Sequence, residues 1–196
     1  MFLLSFWTIA GLNRPPLAQT FEQLQNGEYF TVVVNHFKSK SCSGASGLDK
    51  DQGDGQGCWN QTRLEATRDL MQWLTTDPTQ SNDEDYLIIG DLNAYPVEDP
   101  ITAFQNSGYV DLVNLFFSAD YTFIYEGQSG RLDYAIASPT LVDQVNNITV
   151  WHINADEPPI FDYNVEYKSA QQINDFYNSD HFRSSDHDPL VLGLNL

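Results

Sequence analysis

Hydrophobic and polar positions fall into short blocks along the chain. Thr31-Val32-Val33-Val34 is β-branched and continuous rather than alternating, which predicts a strand covered on both faces, and it ends in Asn35-His36-Phe37-Lys38. Tyr86-Leu87-Ile88-Ile89 is a second such run and delivers Asp91 and Asn93. The glycine- and aspartate-rich segment Ser39 to Trp59 between them reads as a loop. Asn60 then supplies a cap for a helix whose Leu64, Leu70, Met71 and Leu74 share a face, stopping near Asp77-Pro78. Asp99-Pro100 opens a shorter helix that Gly108 closes.

Further on, Tyr121 to Tyr125 and Leu132 to Ala137 read as strands joined by a turn at Gly127 to Gly130. Pro139 to Val145 predicts a helical turn, Ile148 to Ile153 a strand, and Pro189 to Leu194 the closing strand. Asn154 to Arg183 is polar, aromatic and without periodicity, a long functional loop. Short strands alternating with helices and long polar loops predict a layered sandwich.

Polar residues gather where these apolar runs begin and end. Burying a carboxylate is costly unless a metal or partner compensates. Asp91 and Asn93, two apart, point to one side of an extended backbone and suit orienting a water beside a phosphate oxygen; an Asx turn is the plain alternative. Asp186 and His187 point to opposite faces, so one can ligate a metal while the other meets a substrate; a surface turn ending in Asp188-Pro189 is the plain alternative. Asp133, flanked by apolar neighbours in Leu132-Asp133-Tyr134-Ala135, wants a partner, and His187 is the natural one. His36 stands at another strand end, where a structural histidine is common.

Composition adjusts this picture in three respects. The 196 residues are 41% hydrophobic and 13% aromatic, a globular composition long enough for a real core. The net charge of -18 argues against tight non-specific nucleic-acid binding, although bound cations or salt relax that objection. Cys42 and Cys58 bracket the floppy loop. A disulfide there removes unfolded-state entropy worth roughly 3 kcal/mol and implies an oxidising compartment; two separate buried thiols are the alternative. Asp49, Asp51 and Asp54 lack EF-hand spacing and read as a solvated loop. Residues 1–12 are apolar, without a basic leader or cleavage site and too short to span a bilayer, and are uninformative.

Taken together, several stretches resemble the endonuclease/exonuclease/phosphatase superfamily, the fold of pancreatic-type deoxyribonuclease and abasic-site endonucleases. They are NRPPLAQTF from Asn13, VVVNHFKSK from Val32, DQGDGQGCWN from Asp51, IIGDLNAYP from Ile88, GQSGRLDYAIAS from Gly127, WHINADEP from Trp151 and RSSDHDPLVLGL from Arg183. Within the superfamily the bacterial extracellular deoxyribonucleases are most similar. The resemblance implies an α+β, four-layer α/β/β/α sandwich and a secreted phosphodiesterase, extracellular or periplasmic. Its cofactor would be Mg2+, with Ca2+ or Mn2+ as alternatives. DNA is the implied substrate, RNA a possible one, and no membrane partner is implied.

By the same resemblance, Asp91 orients or deprotonates the attacking water, with Asn93 its companion at the phosphate. Asp186 and Asp91 ligate the cation, and an Asp133–His187 pair stands at the scissile phosphate. His36 is the second active-site histidine and Arg14 meets the substrate backbone. The family pattern also begins with an Asn-bearing strand and a Glu-bearing, metal-binding strand, and neither lies upstream of Arg14. Residues 13–196 are therefore expected to be a C-terminal portion of the domain, partnered by a missing N-terminal half. A phosphatase, a sphingomyelinase- or ribonuclease-type relative, and an inactive fragment lacking the metal-binding Glu are the alternatives.

Overall fold

A computed structural model describes residues 2–3, 12–117 and 120–196. Most of the apolar segment 1–12 thus lies outside the described residues. The strands are β1 (Phe2–Leu3), β2 (Leu17–Glu22), β3 (Tyr29–His36), β4 (Tyr86–Asp91), β5 (Val110–Asp111), β6 (Phe123–Tyr125), β7 (Gln128–Gly130), β8 (Asp133–Ala137), β9 (Val145–Val150) and β10 (Leu190–Leu194). The helices are α1 (Asn60–Leu74), α2 (Asp99–Asn106), α3 (Leu112–Phe116) and α4 (Ala170–Phe176).

Six strands form one sheet in the order β1-β2-β3-β4-β8-β5. Within it only β3 and β4 run parallel. β9 and β10 make an antiparallel ribbon, and β6 and β7 a hairpin. The architecture is α+β, as expected.

Burial on β4 explains its unbroken apolar sequence. Tyr86 and Ile88 join Val33, Tyr134 and Ile136 against Ala66, Leu70 and Leu74 of α1 and Ile101 and Phe104 of α2. Leu87, with Ile89 beside it, faces the other way, onto Leu112 and Val113 of α3, Ile148 of β9, and Leu190 and Leu192 of β10. A helix layer, the main sheet and the β9–β10 ribbon therefore stack in that order. β3 departs from the expectation of full cover: Val33 is buried but Val34 is 43% exposed. The ribbon packs on Leu87 of β4 and on Ala135 and Ala137 of β8.

Several local expectations change. Asn60 is the first residue of α1 rather than its cap. The capping comes from Asp49, whose carboxylate accepts from the Thr62 backbone N–H at 2.9 Å and the Thr62 hydroxyl at 2.8 Å. The buried face of α1 includes Thr62, Arg63 and Thr67, while Leu64 is only half-buried. Arg63, wholly buried, donates to the carbonyls of Cys58 (2.9 Å), Lys38 and Gln56 (both 3.2 Å). With the Cys42–Cys58 disulfide, it pins the loop that sequence reading left floppy. The long segment 154–183 is not irregular throughout: it holds the 3-10 turn Pro159–Phe161 and α4, which starts with a Ser169/Gln172 capping box. The strand Leu17–Glu22 had no periodic signal strong enough to read, and the expected turn at Gly127 to Gly130 instead holds the strand Gln128–Gly130, which pairs with β6, while β8 pairs with β4 and β5.

Candidate active site

Three strands deliver their polar ends to one rim. In the parallel register of β3 and β4, His36 stands opposite Asp91. In the antiparallel register of β4 and β8, Asp91 stands opposite Asp133. His36, Asp91 and Asp133 therefore form a row straight across the sheet. Gly90 makes this row possible. Its φ is +119°, and a Cβ there would lie 2.0 Å from the Asn35 carbonyl oxygen, so only glycine lets the two strands close up next to Asp91.

His187 completes the row from the far end of the chain. Its Nδ1 lies 2.6 Å from Asp133 Oδ2, which also accepts the Thr122 hydroxyl at 2.6 Å. A tilted contact with the Phe123 ring, centroids 4.6 Å apart, backs the imidazole. The expected Asp133–His187 pair is thus present, and Thr122 is an additional fixer of the carboxylate that the sequence did not announce. On the other side, His36 Nε2 is 3.7 Å from Asp91 Oδ2.

Asp91 and Asn93 converge by a different route from the period-two alternation expected of them. The strand ends at Asp91 and Asn93 takes a left-handed φ of 48°. The Asn93 backbone N–H and side-chain amide then donate to the two Asp91 oxygens at 2.8 and 2.9 Å. The same amide donates to the Phe37 carbonyl at 3.0 Å. Both amide hydrogens are engaged within the protein, so Asn93 holds Asp91 rather than offering a free donor to a phosphate.

Charges at the rim are strongly coupled. Burial first, and the facing Asp133 carboxylate second, push Asp91 up to about 6. Burial acts to lower the His187 imidazole, but the hydrogen bond and charge of Asp133, with the charges of Asp91 and Asp186, leave it raised. His36 is lowered, by burial and then by the positive charges of Arg14 and His187. Arg14 is exposed at the same rim, its backbone N–H donating to the His36 carbonyl at 3.3 Å.

Asp91, Asp133 and His187 offer ligand atoms that all lie within 4.8 Å of one another. Asp186 is exposed and outside that trio, but its charge reaches both Asp91 and His187. Hard carboxylate oxygens suit Mg2+, Ca2+ or Mn2+, and a cation here relieves the Asp91–Asp133 repulsion. The donor set fits such an ion.

A second group clamps His187 from behind. The Asp188 carboxylate, buried, accepts the backbone N–H groups of Ile153, Asn154 and Ala155 at 3.2, 2.9 and 2.9 Å. Its other oxygen is 2.8 Å from His152 Nδ1. The Asn154 amide donates to the His187 carbonyl at 2.7 Å, and its oxygen accepts from Ser184 N–H at 3.0 Å. Sequence reading missed these residues because their partners are some thirty positions away.

Residues 9–187 match the model of the endonuclease/exonuclease/phosphatase family. The chain belongs to that family. Members of the endonuclease/exonuclease/phosphatase family are hydrolases acting on phosphoester bonds and are generally dependent on divalent metal. No curated protein matches the sequence. Among solved structures, the chain is similar to an endonuclease/exonuclease/phosphatase from Bacteroides vulgatus, with 15% identity and a TM-score of 0.54 over 92% of this chain and 56% of that one. It is also similar to a functionally unknown conserved protein from Enterococcus faecalis, with 17% identity and a TM-score of 0.53 over 92% and 56%. A humanized D. rerio TDP2 follows, with 14% identity and a TM-score of 0.50 over 76% and 56%. These likenesses concern the fold. The chain spans about half the length of each of these three structures.

Proposed function

We propose that this rim cleaves phosphodiesters in DNA as part of a secreted, divalent-cation-dependent nuclease. One observation carries the reading: the in-register row His36, Asp91, Asp133, extended by His187 at 2.6 Å from Asp133. It sets an ionisable carboxylate poised near neutrality beside an imidazole that favours its protonated form. Both groups bind a proton more tightly than usual, which makes the carboxylate a stronger base and favours the charged, acid form of the imidazole, the pair that general acid–base chemistry needs.

In this mechanism, Asp91, held by the two Asn93 donors, takes a proton from the attacking water as its oxygen bonds to phosphorus. The bond from phosphorus to the leaving oxygen breaks, and the His187 imidazolium, oriented by Asp133, gives its proton to that oxygen. His36, neutral, donates a hydrogen bond to a phosphoryl oxygen, and the exposed Arg14 meets the neighbouring phosphate. A divalent cation held by Asp91, Asp186 and Asp133 would supply charge neutralisation at the phosphate and a more acidic water.

Secretion is supported by the Cys42–Cys58 disulfide. Among the described residues, no helix is long and apolar enough to cross a membrane. DNA as substrate rests on the resemblance of the WHINADEP stretch and of the Cys42–Cys58 loop to extracellular deoxyribonucleases. The test offers the chain supercoiled plasmid, single-stranded RNA, sphingomyelin and p-nitrophenyl phosphate with Mg2+, Ca2+ or Mn2+. Plasmid nicking lost on EDTA addition supports the proposal. Hydrolysis confined to sphingomyelin or the monoester replaces the substrate class, and no hydrolysis of any of them favours an inert chain.

A further inference from the structure

Residues 157–182 enclose a concavity of about 260 Å3, lined by Glu157, Phe161, Phe176, Asn178, Asp180 and Phe182. It shares no residue with the carboxylate row. Phe161 and Phe176 meet edge to face with centroids 5.6 Å apart. Phe161, Phe176 and Phe182 remain 43%, 37% and 47% exposed, so ring surface that a tighter loop would bury is left facing water. Asp180 is fixed in orientation, accepting from the Phe182 backbone N–H at 2.9 Å and the Asn178 amide at 2.6 Å. No lysine or arginine lines the cavity; within 157–182, Lys168 is occupied by Asp162 at 2.5 Å, and His181 lies outside the lining, its ring centroid 4.4 Å from that of Phe182.

This chemistry narrows the guest. An anion meets two carboxylates and the field of a chain at net charge -18. A bare Mg2+ or Ca2+ requires a close shell of about six to eight oxygens, whereas half of the lining residues are phenylalanines. A neutral apolar guest would desolvate Glu157 and Asp180 without compensation. An organic cation satisfies all of these groups together: its charge faces the carboxylates, and its methyl groups meet the negative faces of the rings. We propose that this concavity binds a small alkylammonium ion of the trimethylammonium type. The proposal is independent of the nuclease reading.

The test is a titration of the full chain with choline chloride at constant ionic strength, followed by calorimetry and by the phenylalanine ring resonances. The probes for comparison are sodium chloride and 3,3-dimethylbutan-1-ol, the neutral carbon isostere of choline. Saturable choline binding is expected, with the neutral isostere at least tenfold weaker and sodium inert. Phe182→Leu, which keeps the apolar volume but removes a ring face, should weaken binding about two- to fivefold. Glu157→Gln, with its far-ultraviolet circular dichroism checked against the parent, should weaken it as well. Absence of saturable binding, equal binding of the neutral isostere, or indifference to both substitutions would overturn the proposal.

Discussion

Asp91 and Asp133 are direct register partners on adjacent antiparallel strands, and the charge of one raises the carboxyl of the other. The sheet thus holds two like charges side by side at its rim, an arrangement that favours function over stability.

That repulsion has a pH signature. With Asp91 raised from 3.8 to about 6, the folded state holds this proton more tightly than the unfolded chain does. Its contribution is therefore complete below about pH 4 and is lost as pH rises through about 6, a change on the order of 3 kcal/mol. Asp91→Asn keeps the shape without the charge. It should raise the urea midpoint at about pH 7.5 and leave it nearly unchanged at about pH 4. Equal midpoint shifts at both values would contradict the assignment.

Catalysis should follow the same groups in opposite senses. Activity should rise as Asp91 ionises and fall as His187, raised above its ordinary 6.5, loses its proton. The profile of kcat/KM against pH should be bell-shaped, and Asp133→Asn should move its alkaline limb to lower pH. A flat profile would count against this pair as base and acid.

Gly90 offers a test of the geometry itself. Gly90→Ala should destabilise the fold by about 3 kcal/mol or more, because the new methyl meets a backbone oxygen. Gly127→Ala is the control: its φ is +77° but no atom lies within 4 Å of an added Cβ, so it bears only the conformational cost, about 1 kcal/mol. Denaturant unfolding of both variants measures the difference.

Asn154 should act on catalysis through His187 without touching the substrate. Asn154→Ala strips a donor from the His187 carbonyl and should cost about 2 kcal/mol of stability. It should also lower kcat more than it changes KM, since the imidazole loses its fixed position. A fall in stability alone, with kcat intact, would make Asn154 structural only.

Much of this arrangement was legible in the sequence, and the reasons for the rest are physical. The continuous apolar run into Asp91 reported a strand buried on both faces, and the isolated Asp133 reported a need for His187. Asp49, Arg63, Asn154 and Asp188 were opaque because each serves a distant segment. Asp49 caps a helix that begins eleven residues later, and Arg63 satisfies three loop carbonyls from inside the core. Periodicity registers the face a residue occupies, not the partner that the tertiary fold brings to it. The Ser169-to-Gln172 capping signature was visible in principle, but the polar surroundings of α4, which buries none of its residues, concealed the helix.

The most direct measurement is hydrolysis of supercoiled plasmid by the full chain with Mg2+, compared across the parent, Asp91→Ala and His187→Ala. The account predicts nicking by the parent, abolished by EDTA and reduced by a factor on the order of 100 to 10,000 in each variant. A parent chain without phosphodiesterase activity, or variants that cut as fast as the parent, would contradict it.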